Sequence, residues 1–143
     1  MPYSGLPNLD KAYKVVKESG CDNAMLILDT WHWVRADQPY DILTKEIGEK
    51  VVSIQINDAY ERPYAASVLR DESMHDRLAP GTGAKDTVGF VKMIKEAGVS
   101  PRAVGVEVIS DAIVAKGLKE AASLTYDNTV KVLKEAWPEL LED

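Results

Sequence analysis

The sequence predicts an α/β fold in which about three parallel strands with flanking helices form a half-barrel. Three observations carry this. Short apolar runs, Met25-Leu26-Ile27-Leu28, Val51 to Ile56 and Ala103 to Val108, are bounded by turn residues, as buried parallel strands are. Segments with helical spacing of apolar residues alternate with them, the pattern of βα units on one sheet. Each run also carries a polar residue late in its length: Asp29, Gln55 and Glu107. Leaving such a group buried and unpaired costs on the order of 1–3 kcal/mol, so packing alone does not put it there.

The elements follow in order. Asn8 is placed to cap a helix over about 9–19, with Leu9, Ala12, Val15 and Val16 on one face and Gly20 as the stop. The first strand is expected over 24–29. Pro39 can open a helix to about residue 47, ended by Gly48. The second strand spans 51–57. Residues 58–85 read as a long irregular connection, and such lengths are usually functional. A helix follows over about 86–97, stopped by Gly98, and the third strand over 103–108. Residues 111–121 and then 126–136 read as helices, the last ended by Pro138.

Parity sharpens the fold. In the third run Val104, Val106 and Val108 share one face, opposite Ala103, Gly105 and Glu107. In the second, Val52, Ile54 and Ile56 oppose Ser53, Gln55 and Asn57. A β-branched face toward helices and a smaller, more polar face toward an interior describe a stave of a (β/α)8 TIM barrel. A closed barrel takes about 250 residues. The chain has 143, so it reads as one domain, residues 1–143, forming the C-terminal half of a barrel. Barrels of this type place their chemistry at the C-terminal ends of the strands, where the three polar residues lie.

Net charge is −6 and lysines are spread along the helices, which argues against a nucleic-acid surface. One cysteine, Cys21, excludes an internal disulfide and suits a reducing compartment. No apolar stretch approaches the roughly 20 residues of a membrane span, and residues 1–7 lack the layout of a signal peptide. A cytoplasmic protein is expected.

Asp29-Thr30-Trp31-His32 sets a carboxylate and an imidazole where a strand leaves the barrel; alone, the pair also reads as a turn-capping Asp and a partly buried His. Gln55 alone can serve backbone groups, and Asn57 and Asp58 are ordinary turn-formers. Glu107 is the strongest single residue, because a glutamate between Val106 and Val108 needs a cation or donors. Arg77 precedes Pro80-Gly81-Thr82-Gly83, either a surface turn or a loop that holds a substrate. Trp31 and Trp33 are candidates for the pocket mouth, with core packing the better reading for at least one. His75 reads as solvated.

Together, Leu28-Asp29-Thr30-Trp31-His32-Trp33, Ile54-Gln55-Ile56-Asn57-Asp58-Ala59, Asp76 to Gly83 and Val106-Glu107-Val108-Ile109-Ser110-Asp111 resemble the xylose-isomerase-like TIM-barrel superfamily of sugar (phosphate) isomerases and epimerases. Gln55, where many relatives carry His, resembles the branch that includes 3-dehydroshikimate dehydratases. The resemblance implies a divalent metal at the barrel mouth, with Asp29, Gln55 and Glu107 as three of four ligands. All three offer oxygen, which suits Mg²⁺ or Mn²⁺. The remaining ligand, a Glu of the preceding strand, has no counterpart in residues 1–7. The resemblance further implies that His32 contacts substrate hydroxyls or carbonyl, with Trp31 beside it, and that Arg77, or failing it Arg62, holds the substrate. Glu107 is then the proton-transfer carboxylate, with His32 and Arg77 completing the catalytic set.

The expected activity is a metal-dependent sugar isomerase or epimerase working through an enediolate, with the site incomplete in this chain. A dehydratase of the 3-dehydroshikimate type is the alternative enzyme. A non-catalytic fragment or subunit is the alternative outside enzymes; the superfamily's abasic-site endonuclease branch is disfavoured by the acidic balance and by only two histidines. Expected partners are a small sugar or polyhydroxy keto acid, and either further copies of the chain or a missing N-terminal half. No nucleic acid or membrane partner is expected.

Overall fold

Parallel pairing of the three apolar runs organises the molecule. The structure is a computed structural model describing residues 2–61 and 68–142. Strands β1 (Leu26–Asp29), β2 (Val51–Ile56) and β3 (Ala103–Val106) form a parallel sheet in the order β1-β2-β3. Helices α1 (Leu9–Glu18), α2 (Thr30–Arg35), α3 (Lys45–Gly48), α4 (Leu69–His75), α5 (Thr87–Glu96), α6 (Asp111–Val114) and α7 (Leu118–Ala136) surround it. Three parallel strands with helices on one face and an open face on the other make a partial (β/α) barrel. Among the described residues no helix is long and apolar enough to cross a membrane.

Register puts like residues in rows across the sheet. Leu28, Ile54 and Val104 are neighbours, and so are Asp29, Gln55 and Gly105. The first row faces the helices. Ile54 and Ile56 are fully buried with Leu26 and Leu28, against Leu9 of α1, Phe90, Val91 and Ile94 of α5, and Val132, Leu133 and Ala136 of α7. The second row faces the other way, toward a barrel interior. There Ile27 is 56% exposed and Met25 38%.

Several boundaries differ from expectation. All three strands are shorter, and β3 ends at Val106, so Glu107 stands just beyond the ladder. The helix expected from Pro39 is a 3₁₀ turn, Tyr40–Ile42, followed by α3, because Thr44 turns extended and its Oγ1 accepts from the Ile47 amide. The stretch over 111–136 breaks once, at Gly117 with φ of 92°, where an L side chain would be strained. No second break follows: Thr125 Oγ1 accepts no capping role and instead donates to the Ala121 carbonyl inside α7. Two helices were unforeseen, α2 and, within the long connection, α4.

The exposed row and the outer edges of β1 and β3, which pair with no further strand among the described residues, favour association. We expect light scattering at low micromolar concentration to give a mass above the monomer's. A folded monomer with one cooperative melt would contradict this.

Candidate functional site

The site grows from the end of β1. Asp29 is the last strand residue and also the N-cap of α2, its Oδ1 accepting from the His32 amide at 2.9 Å. That cap starts a helix in Thr-Trp-His-Trp-Val, residues of modest helix propensity, which is why the sequence did not announce it. Asp29 is 6% exposed, so its remaining oxygen needs donors. Oδ2 accepts from Asn57 Nδ2 at 3.0 Å and from Arg77 Nη1 at 3.0 Å.

Arg77 binds the second carboxylate too. Its Nη1 donates to Glu107 Oε2 at 2.8 Å and to the Glu107 carbonyl at 3.3 Å. The rest of the guanidinium is anchored below: Nε donates to the Ser73 carbonyl at 2.9 Å and Nη2 to Ser73 Oγ at 3.0 Å. The Trp31 ring lies 5.4 Å from its Cζ, a cation–π contact. Trp31 itself is 0% exposed, and its Nε1 donates to Glu72 Oε1 at 3.0 Å. Glu72 also accepts from Arg35, joining α4 to α2.

Expected and observed roles therefore part in places. Asp29, Arg77 and Glu107 form one hydrogen-bonded triad. Gln55 sits beside Asp29 in the sheet, its Cγ 4.0 Å from where a Gly105 side chain would begin, but outside that triad. Asp29, His32 and Gln55 line a cleft of about 180 Å³, whose walls include Leu6, Ile27 and Trp33. Trp31 is corrected: it is sealed beneath Arg77 rather than open to a substrate. Arg77 is corrected as well, since its guanidinium is buried and spent on protein acceptors. Arg62 lies outside the described residues. His75 is an exposed partner of Asp111 at 3.1 Å.

Asn57 was underrated as a turn-former. It is 0% exposed, and besides Asp29 it binds the Trp31 amide at 2.7 Å through Oδ1 and the Glu107 carbonyl at 3.2 Å through Nδ2. Its shared parity with Gln55 was the available signal. Ser73, four residues before Arg77, was missed. Asp58 holds the glycine loop, accepting from the Gly83 amide at 3.0 Å; a Cβ on Gly83 would meet that carboxylate at 2.4 Å.

Two groups titrate abnormally. Burial raises the Glu107 carboxyl above the usual range, the Asp29 carboxylate adds to this, and Arg77 opposes it. Burial, then Arg77, lowers His32 to about 4, so its ring is neutral at pH 7. His32 Nδ1 is buried and has no hydrogen-bond partner among the described residues.

The residues present do not fit a bridging divalent cation in this arrangement. Arg77 Nη1 stands between the Asp29 and Glu107 oxygens, where the cation would go. Among the described residues no three His, Cys, Asp or Glu side chains gather in a metal-binding group.

A parallel half-barrel with its polar cluster at the strand ends defines a barrel-type α/β protein. The chain belongs to the xylose isomerase-like TIM barrel family, whose model matches residues 1–136. It is 29% identical to an inosose isomerase of Bacillus velezensis over 134 residues, 94% of this chain and 43% of the relative. It is 30% identical to a 3-dehydroshikimate dehydratase of Pseudomonas aeruginosa over 89 residues, 62% of this chain and 14% of that protein. The crystal structure of the IolI protein with a bound zinc atom superposes with a TM-score of 0.77 at 26% identity, covering 90% of this chain and 44% of that one. The chain thus spans less than half the length of the inosose isomerases it matches.

His32 gives a pH prediction. Its folded value lies below the ordinary 6.5, so its contribution to stability is full above about 6.5 and declines as pH falls toward 4. Replacing His32 with Leu should flatten that part of the pH dependence. Urea melts of both proteins at about pH 7.5 and about pH 5 check this, and an equal loss in the two would contradict it.

Proposed function

We propose that this chain carries part of the site of a sugar isomerase or epimerase acting on a polyhydroxylated ketone through an enediolate. The observation behind the reading is Glu107, a carboxylate 36% exposed at the side chain, raised in pKa and held by Arg77 at the strand ends. A carboxylate whose proton affinity is raised by burial is better suited to accept a proton than an ordinary one.

In this reading Glu107 removes the proton on the carbon next to the carbonyl. The C–H electrons form the carbon–carbon double bond, and the carbonyl oxygen takes the negative charge. Neutral His32 and the Gln55 amide, both lining the cleft, supply donors to the substrate oxygens. Return of the proton to the former carbonyl carbon, with the hydroxyl proton passing from one enediolate oxygen to the other, isomerises; return to the original carbon from the opposite face epimerises. Arg77 keeps Glu107 aimed and its ionised form available. The Mg²⁺ or Mn²⁺ that the family resemblance implies has no step here, because Arg77 holds the oxygens it would need.

The likeness to inosose isomerases supports a cyclic or open polyol ketone as substrate class. The segment shared with the dehydratase supports loss of a β-hydroxyl from the same enediolate as a second reading. A cytoplasmic setting belongs to this proposal. So does a partner, another copy or a complementary barrel half, because the cleft is open on its interior side.

Proton exchange into D₂O, followed by NMR on an inosose, tests the chemistry before any product is known. We expect slow exchange by the chain, well below ordinary turnover of about 1–10³ s⁻¹. Replacing Glu107 with Gln should reduce it by about 10²-fold or more. Exchange indifferent to Glu107 would overturn the reading. The dehydratase alternative instead gives an ultraviolet-absorbing aromatic product from 3-dehydroshikimate.

A further inference from the structure

We propose that Arg77 is the resident cation of this site, so that a divalent metal and the Arg77 guanidinium are alternatives on the same carboxylate oxygens. The inference stands on geometry and is independent of the reaction proposed above.

Asp29 has little capacity left. Its two oxygens already accept three N–H bonds, from His32, Asn57 and Arg77. A carboxylate offers about four acceptor sites, so one remains on Oδ1, but Oδ2, the oxygen Arg77 shares with Glu107, is filled, and a metal on that oxygen must displace Asn57 or Arg77. On Glu107 it is Oε2 that the same nitrogen, Nη1, holds at 2.8 Å, so a cation joining these two oxygens takes the place of Nη1.

Arg77 is not placed to step aside. Its side chain is 3% exposed and clamped at Nε and Nη2 by Ser73, with the Trp31 ring beside it. Swinging out would strand the Ser73 carbonyl and the buried Asp29 carboxylate without their cationic donor. Glu107, 36% exposed at its side chain, is the movable partner. Charge points the same way. Two carboxylates and one guanidinium leave one negative charge, whereas a divalent ion added beside the retained guanidinium gives an excess of positive charge in a poorly hydrated place. Removal of the guanidinium charge frees both carboxylates for a metal.

The test is titration of the chelator-treated full chain with MnCl₂, following free Mn²⁺ by electron paramagnetic resonance and the melting temperature in parallel. Arg77→Gln is expected to bind one Mn²⁺ per chain about tenfold or more tighter than the unaltered chain. Its melting temperature should rise with Mn²⁺, while that of the unaltered chain stays put. Arg77→Lys keeps the charge and should behave like the unaltered chain. The gain in Arg77→Gln should vanish when Asp29→Asn is added. Stoichiometric binding by the unaltered chain that Arg77→Gln does not tighten overturns the proposal, as does a gain that survives Asp29→Asn. Should Arg77→Gln fail to fold, the unaltered chain decides: a saturable Mn²⁺ site lost in Asp29→Asn overturns the proposal, and absence of one sustains it. Failure of proton exchange in the preceding experiment leaves these outcomes untouched.

Discussion

Two carboxylates at the ends of β1 and β3, one of them almost wholly buried, cannot be left to themselves. Asp29 must both cap α2 and end β1, and both duties keep it away from water. Its charge is tolerable only because amides and a guanidinium surround it. Much of the local architecture follows from delivering them. α2 supplies the His32 amide, the turn after β2 supplies Asn57, and the long connection returns over α4 to supply Arg77 with Ser73 beneath it. The Asp58–Leu78 and Asp76–Ser110 bridges pin that return to the ends of β2 and β3. A connection that looks wasteful in sequence is thus the route by which a cation reaches the strand ends.

The sheet works because its two rows answer to different solvents. Leu28, Ile54 and Val104 meet helices, where packing alone decides. Asp29, Gln55 and Gly105 meet the cleft side at the strand ends, while Ile27 stands earlier on that face. The pleat separates the two jobs without compromise, since neighbours in one strand never share a face.

This separation explains what was legible in the sequence. The strands and the three polar residues could be found because period-2 alternation is local, and Asn8, Gly20 and Gly98 mark helix ends through chemistry confined to a few residues. α2 could not, because its start depends on Asp29 acting as a cap while its sequence, rich in aromatic and branched residues, favours no helix. Nor could the state of Arg77 be read. Whether an arginine meets a substrate or the protein's own carboxylates depends on contacts between residues 29, 77 and 107, far apart in the chain. Trp31 illustrates the same limit: an aromatic next to a polar site serves equally well as its lining or its floor, and the indole bond to Glu72 makes it the floor.

Glu107 shows how such a site stays adjustable. One oxygen is tied to a fixed guanidinium, yet the side chain retains contact with water. Burial and Asp29 push its proton affinity up, and Arg77 pulls it down. The opposing influences come from different elements, β1 and the segment after α4, so each can shift without rebuilding the other. Displacing Arg77 by any means both strengthens the repulsion between the two carboxylates and opens their oxygens to another cation. Proton affinity and cation choice at this position are therefore one property of the triad, set by how firmly Ser73 and Trp31 hold the guanidinium in place.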